Sequence, residues 1–303
     1  MTPRVGIVVV NWRTPDVTRR CLEAVQRLTY RHRDVVLVDN GCADISADLA
    51  GAACPGARYV RTDANLGFTG GSNAGMAAAL AAGADWVWFL NSDARPEPAA
   101  LDELVAVATA PPGADIVGAK ILSGERPERL DSAALEVDLG SGRVRLLGHG
   151  EIDRGQYDGL SDPVAVTGCA MLVSRRTCED CSGFEPAYFA YMEDADLCLR
   201  ARAAGRRVAF APRARVLHDR AAAGRGRQSP ESLYYSTRNH LLLLQRHCPS
   251  PPWQRKLQEL RVRLLSAAYA LRSGTAPLEA LRAVRRGIAD FRGNVIGERP
   301  AQP

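Results

Sequence analysis

Over the first 120 residues, short and continuously apolar runs alternate with stretches of helical texture. The runs are "RVGIVVV" at 4–10, "DVVLVD" at 34–39, "ARYVRT" at 57–62 and "DWVWFL" at 85–90. Between them lie a segment opened by Thr14 and Pro15, another near 44–53, and an alanine-rich one near 71–82. Threonine suits an N-cap and proline the first helical turn, so the first of these predicts a helix. Apolar strands separated by helices predict a parallel sheet covered on both faces, which makes this half of the chain α/β.

In such sheets ligands sit beyond the carboxyl ends of the strands. Here those ends are polar: Asn11 after the first strand, Asp39 and Asn40 after the second, Asp63 and Asn65 after the third, and Asn91, Ser92 and Asp93 after the fourth. From 119 to about 163 the pattern loosens into dispersed Gly, Asp and Arg, which predicts loops and a hairpin draped over the site. "PVAVTGCAMLVSR" then reads as a strand, and an acidic helix runs from Asp194 to a stop at Gly205. Two short strands follow, "RRVAFAP" and "ARVLH", then a Gly/Arg loop at 221–228. A helix opened by Ser229 and Pro230 and two amphipathic helices complete the chain to about 292. The expected division is a domain over 1–228, with halves 1–118 and 119–228, and a helical extension over 229–303.

With 303 residues, 46% of them hydrophobic and 24% charged, the chain can bury a large core. Its longest uncharged apolar stretch, Met76 to Ala84, falls far short of the roughly 20 residues of a membrane span. The N-terminal run lacks the small-residue cleavage site of a secretory leader. Eight scattered cysteines, with only Cys178 and Cys181 at CxxC spacing, fit reduced thiols in a cytoplasmic protein better than staples or a zinc site. All but two of the basic residues are arginine, the exceptions being Lys120 and Lys256, which looks like coding bias. The net charge of +5 is concentrated at the end, where residues from Trp253 onward hold ten basic and four acidic side chains.

Several stretches carry candidate chemistry. "FLNSDA" at 89–94 is an ordinary turn in isolation, yet Asp93 sits where a carboxylate at a strand end can hold a hard divalent cation. "TDANLGFTGGSNAG" at 62–75 places four glycines ahead of a helix, suited to close approach by a phosphate. Its spacing fits neither GxGxxG nor a P-loop, which counts against a dinucleotide enzyme. His218 alone is more often structural than a ligand, and gains weight by pairing with Asp93. In "PAYFAYMEDADLCLR", Glu193, Asp194 and Asp196 follow directly on Tyr188, Phe189 and Tyr191. A solvated helix start explains the acids alone; a base with a raised pKa beside a sugar-stacking wall explains the aromatic residues too.

Taken in order, "VVVNWRT", "LVDNGCAD", "DANLGFTGGSNAG", "FLNSDA", "TGCAMLVSR", "YFAYMEDADLCLRARAAG" and "VLHD" resemble the family 2 glycosyltransferases of the GT-A fold, particularly bacterial rhamnosyltransferase-like members. The resemblance covers about residues 4–240 and implies a Rossmann-like nucleotide-sugar transferase with a helical extension. It implies that Asp39 and the backbone near Asn11 hold the base and ribose, and that Asn65, Gly67 and Asn73 line the nucleotide and diphosphate. Asn91-Ser92-Asp93 stands where the family has Asp-x-Asp, making Asp93 the carboxylate ligand of Mn2+ or Mg2+ and His218 the later histidine ligand. Asparagine at 91 removes one charge, so weaker metal binding is expected. Asp194 matches the base for the acceptor hydroxyl, with Glu193 beside it, and Gly168 and Cys169 lie near the donor sugar.

The implied reaction is an inverting, metal-dependent transfer from a UDP- or dTDP-sugar to a hydroxyl on a glycan, a lipid-linked glycan or a small molecule. The rival readings are a catalytically silent nucleotide-sugar binder and a sugar nucleotidyltransferase; the second would need an Arg/Lys-bearing triphosphate loop after the first strand. The basic tail lacks the interleaved aromatics of a nucleic-acid groove. It reads either as helices packed on the domain with a solvated arginine face, or as a peripheral contact with anionic membrane. Oligomeric state has no signal in the sequence.

Overall fold

A computed structural model of the chain describes residues 2–42, 52–140, 143–220, 229–248, 250–272 and 275–299. Four parallel strands form one half of a mixed sheet, in the order β3 (Arg58–Arg61), β2 (Arg33–Asp39), β1 (Val5–Asn11), β4 (Trp86–Asn91). Helices α1 (Pro15–Gln26) and α2 (Gly67–Ala81) connect them. Residues 44–51 of the helix expected near 44–53 lie outside the described residues, as does the loop at 221–228. Thr14 occupies the N-cap of α1 with Pro15 next, but its side chain makes no capping bond. The hydroxyl of Thr18 instead lies 2.8 Å from Asn11 Oδ1 and 2.9 Å from the Thr14 carbonyl, tying the helix start to the end of β1.

The sheet is not parallel throughout. β10 (Ala170–Ser174) runs antiparallel between β4 and β6 (Ile116–Ser123). A strand buried on both faces is apolar at every position, so its sequence carries no sign of direction. β11 (Val208–His218) then pairs parallel with β6, and β5 (Ala94–Pro96) closes the edge antiparallel to β11. The two strands expected between 206 and 218 are this single β11, whose register shifts between Ala211 and Arg215. Pro212 lies in that interval; it has no N–H to give a ladder, so it sits at the irregularity.

Residues 119–163 do more than drape. β6 is a central strand, and β7 (Leu130–Ser132) pairs with it. The hairpin of β8 (Ala134–Asp138) and β9 (Arg143–Leu147) buries Leu135 and Val137 in the same core as Val166. Lys120, almost wholly buried, donates to Asp153 at 3.0 Å and Asp158 at 2.6 Å, anchoring the following loop to the sheet. One of the two lysines thus has a structural task that composition alone does not reveal.

The remaining helices are α3 (Ala100–Thr109), α4 (Arg175–Asp180), α5 (Glu193–Ala203), α6 (Pro230–His247), α7 (Pro252–Arg272) and α8 (Pro277–Arg292). Helix α5 starts one residue before the expected Asp194, and Gly205 follows it at φ +74°, the conformation glycine adopts without strain. Ser229 caps α6 by accepting from the Ser232 amide at 3.0 Å. Leu242 and Leu243 of α6 belong to the core on one face of the sheet, so this helix is continuous with the domain interior. No helix among the described residues is long and apolar enough to cross a membrane.

Candidate active site

The glycine-rich turn is built for packing as much as for a ligand. Helix α2 begins at Gly67, earlier than the expected residue 71, so all four glycines lie inside it. A methyl group on Gly75 would collide with Val8 of β1, and its absence lets α2 lie against the sheet. Gly67 holds φ +70° and sits against the backbone and ring of Phe189. Asn40 fixes this turn: its amide donates to Asn65 Oδ1 and to the Gly67 carbonyl, both at 3.0 Å, and accepts from the Leu66 amide at 3.0 Å.

Three residues expected at the nucleotide direct their hydrogen bonds into the protein. Asp39 is fully enclosed; its carboxylate accepts from Tyr59 at 2.9 Å and from the Cys42 amide at 3.2 Å. Burial and the Asp39 carboxylate push the Tyr59 hydroxyl up to about 12. Asn11 is also fully buried, bonded to Thr18 and Cys42. Asn73 exchanges both its amide groups with the backbone of Phe184, at 2.7 and 2.9 Å.

At the end of β4 stands an ionic cluster. His218 Nε2 lies 3.1 Å from Asp93 Oδ1, and His218 Nδ1 lies 2.8 Å from Asp131 Oδ2. Strand pairing enforces the first contact, because His218 of β11 is in register with Ala94 of β5, the residue after Asp93. Asp131 also bonds Arg220 at 2.6 Å and stands 3.3 Å from His149. Burial pushes the Asp131 carboxyl up, but the hydrogen bonds from both histidines and the Arg220 charge outweigh it and hold the group well below the usual range. Burial likewise opposes the charge on His218, yet Cys169, Asp131 and Asp93 together raise it well above an ordinary histidine. Asp131 was not among the expected site residues; it lies 87 positions from His218 in a stretch without a motif.

The acidic segment splits its three carboxylates into three environments. Asp196 is wholly buried and structural: it accepts from Tyr188 at 3.1 Å and Arg200 at 2.7 Å, with His247 at 2.8 Å. Burial raises its pKa, but His247 and Arg200 outweigh burial and lower it. Asp194 makes no ion pair among the described residues. Its Oδ2 accepts from the Gly168 amide at 3.0 Å and its Oδ1 from the Ala195 amide at 2.8 Å. Burial raises its pKa in spite of these two bonds. Glu193 is buried with Oε2 lacking any partner among the described residues, and burial followed by the Asp194 charge drives its carboxyl well above the ordinary range.

The backbone leading to these acids is strained. Phe189, Tyr191 and Met192 all hold positive φ, between 64° and 71°, which bulky residues seldom adopt. Helix α6 over-determines that path. Asn239 donates to the carbonyls of Tyr188, Ala190 and Tyr191 at 2.6–2.9 Å, and Arg238 to those of Ala187 and Tyr188 at 3.2 and 3.0 Å. Strain held in place by surrounding contacts is characteristic of functional sites. The clue in the sequence was an Arg-Asn pair on the apolar face of a helix, in "YYSTRNHLLLL".

Two consecutive residues join the clusters. Gly168 offers its amide to Asp194, while the Cys169 carbonyl accepts from the Asn91 amide at 2.9 Å and the Cys169 thiol adjoins His218. Adjacent Cα atoms stand about 3.8 Å apart. The carboxylate without a cation and the Asn91-Ser92-Asp93 turn are therefore fastened to one short piece of chain, at the expected carboxyl-end edge of the sheet.

Asp93 and His218 converge with the Asp131 carboxylate behind the histidine, an arrangement like the one that orients an imidazole in metal sites. No group of three or more metal-ligating side chains occurs among the described residues. The pair fits a hard cation that draws its other oxygens from a diphosphate and water.

Comparisons with known proteins identify the family and the fold. The model of the family described as "Glycosyltransferase like family 2" matches residues 3–241. An N-acetylglucosaminyl-diphospho-decaprenol L-rhamnosyltransferase of Mycobacterium tuberculosis is 29% identical, covering 94% of this chain and 97% of that protein. A galactofuranosyltransferase of the same organism is 39% identical over one third of each chain. Among solved structures, S. aureus TarS 1-349 in complex with UDP-GlcNAc aligns with a TM-score of 0.61 at 15% identity, covering 96% of this chain and 81% of that one. The mannosyltransferase PcManGT of Pyrobaculum calidifontis, in complex with GDP-Man and Mn2+, aligns with a TM-score of 0.59 at 15% identity, covering 97% and 84%. These two share the fold.

Proposed function

Because the chain belongs to the family 2 glycosyltransferases, enzymes that use nucleotide sugars, we propose that it transfers a sugar from a UDP- or dTDP-linked donor to a hydroxyl acceptor with inversion at the anomeric carbon. The observation that carries this reading is the joint attachment of Asp194 and the Asn91-Ser92-Asp93 turn to Gly168 and Cys169. It supports a base and a diphosphate site facing one reacting carbon.

In this reading Asp194 takes the proton of the acceptor hydroxyl. The hydroxyl oxygen bonds to the anomeric carbon as the bond to the diphosphate oxygen breaks, and the nucleoside diphosphate leaves on the opposite face. The raised pKa of Asp194 suits a base that must gain a proton near neutrality. Gly168 and Ala195 aim its two oxygens. Asp93 and His218 would hold Mn2+ or Mg2+, which when bound supplies Lewis acidity for the departing diphosphate. His218 would serve as a ligand in its neutral form, having lost its Nε2 proton, so cation binding would release protons. The relative from Mycobacterium tuberculosis supports a 6-deoxyhexose such as rhamnose as donor sugar and a lipid-diphosphate-linked sugar as acceptor.

Calorimetric titration with UDP, dTDP and GDP, each with and without Mn2+, tests the donor site. The expected result is binding of UDP or dTDP that strengthens with Mn2+, and loss of that strengthening in Asp93→Ala. Absence of binding by any of the three to folded protein removes the proposal.

A further inference from the structure

Helix α7 lies on the body of the protein by one narrow strip. Gln258, Val262 and Ala270 are buried, and Gln258 donates to the Leu139 carbonyl at 3.2 Å. At about 100° per residue, Trp253, Leu257, Leu260, Leu264 and Leu271 form a single stripe on the opposite side. All five are exposed, Trp253 at 69% and Leu264 at 63%. Soluble surfaces scatter such side chains; a continuous row of this length marks a contact surface.

The charges beside the stripe say what kind of contact. Lys256 and Arg263 flank it on one side, and Arg261 and Arg272 on the other. All four are exposed, and none forms an ion pair among the described residues. The only acid on the helix, Glu259, is on the body side and pairs with Arg292 of α8 at 3.4 Å. A second copy of the chain laid on this stripe would bring basic flank against basic flank in either direction, with no carboxylate to receive them. An anionic bilayer meets the whole face: headgroups take the cations, the acyl boundary takes the leucines, and the indole sits at the interface.

We infer that the exposed face of α7 is a docking surface for anionic lipid, on which the helix lies in the plane of the bilayer. The inference stands on this helix alone and holds whether or not sugar transfer is demonstrated. Together with that reading, it would hold the enzyme on the surface where a lipid-linked acceptor resides.

Flotation of the full chain with phosphatidylglycerol vesicles, against vesicles of phosphatidylcholine alone, tests it. The chain should float with the first and not the second. Each of Lys256→Gln, Arg261→Gln and Arg263→Gln should weaken partition about fivefold, and Leu260→Glu with Leu264→Glu should abolish it. Both leucines are exposed, so thermal melting of that double variant should match the parent, which separates lost docking from lost folding. A blue shift of fluorescence on adding vesicles should vanish in Trp253→Phe. Absence of flotation, or undiminished flotation of the leucine variant, overturns the inference. So does a dimer in sedimentation equilibrium that the leucine substitutions dissolve, because the stripe then serves a second copy.

Discussion

Two acidic clusters, joined through Gly168 and Cys169, are treated in opposite ways by the fold. Around Asp131 every carboxylate oxygen meets a cation, and the group is held ionised. Around Asp194, among the described residues, there are only two backbone amides and no cation, and the neighbouring Glu193 Oε2 has no partner there. Under the proposed function, carboxylates pushed apart in this way would divide the labour: the compensated cluster positions charge, while the uncompensated one exchanges protons. Placing a cation beside Asp194 would lower its pKa and weaken it as a base.

The severest test of that contrast is Asp194→Asn. It should lower transfer about 10²–10⁴-fold while leaving nucleotide affinity nearly unchanged, as read by single-turnover assay and calorimetry. Equal loss of both would assign Asp194 to binding. Asp131→Asn comes next. With the carboxylate behind His218 neutralised, affinity for Mn2+ should fall about 10–100-fold, measured by titration of the nucleotide complex.

The carboxylates of the two clusters should also respond oppositely to pH. Asp131 has a depressed folded pKa, so its contribution is present above the ordinary carboxylate value of 3.8 and lost as pH falls below it. His218 has a raised one, so its contribution is full below 6.5 and lost as pH rises through the folded value. Glu193 is raised instead: the unfolded chain ionises first, and stability declines as pH climbs above 4.5. The smallest expected effect therefore belongs to Glu193→Gln, which should melt a few degrees higher than the parent at neutral pH, on a scale of about 2–4 °C per kcal/mol. A melting temperature that falls instead would mean Glu193 is ionised and paired.

How far the sequence alone reached follows the same division. Asn91, Ser92, Asp93 and the Glu193-Asp194 pair were legible because each stands at a strand or helix end, where polarity interrupts an apolar run. Asp131 was not, since its partners are distant in the chain and nothing local requires an acid there. The direction of β10 was hidden by burial on both faces, and the continuity of β11 by Pro212. The glycines at 67–75 were seen, but their service to helix packing depends on Val8, which only the folded sheet brings near. The exposed stripe of α7 was half legible: basic amphipathic character shows in the sequence, whereas which face the body covers does not.

The grip of Asn239 and Arg238 on residues 187–191 has a consequence for the order in which the protein comes into being. Every described strand of the sheet has left the ribosome by His218, yet the turn that leads to Asp194 is held by a helix made afterwards. A nascent or clipped chain ending near residue 220 would thus hold every described strand while the turn before Asp194 lacks the helix that grips it. Under the proposed function, competence for transfer would wait for α6, after the scaffold is complete.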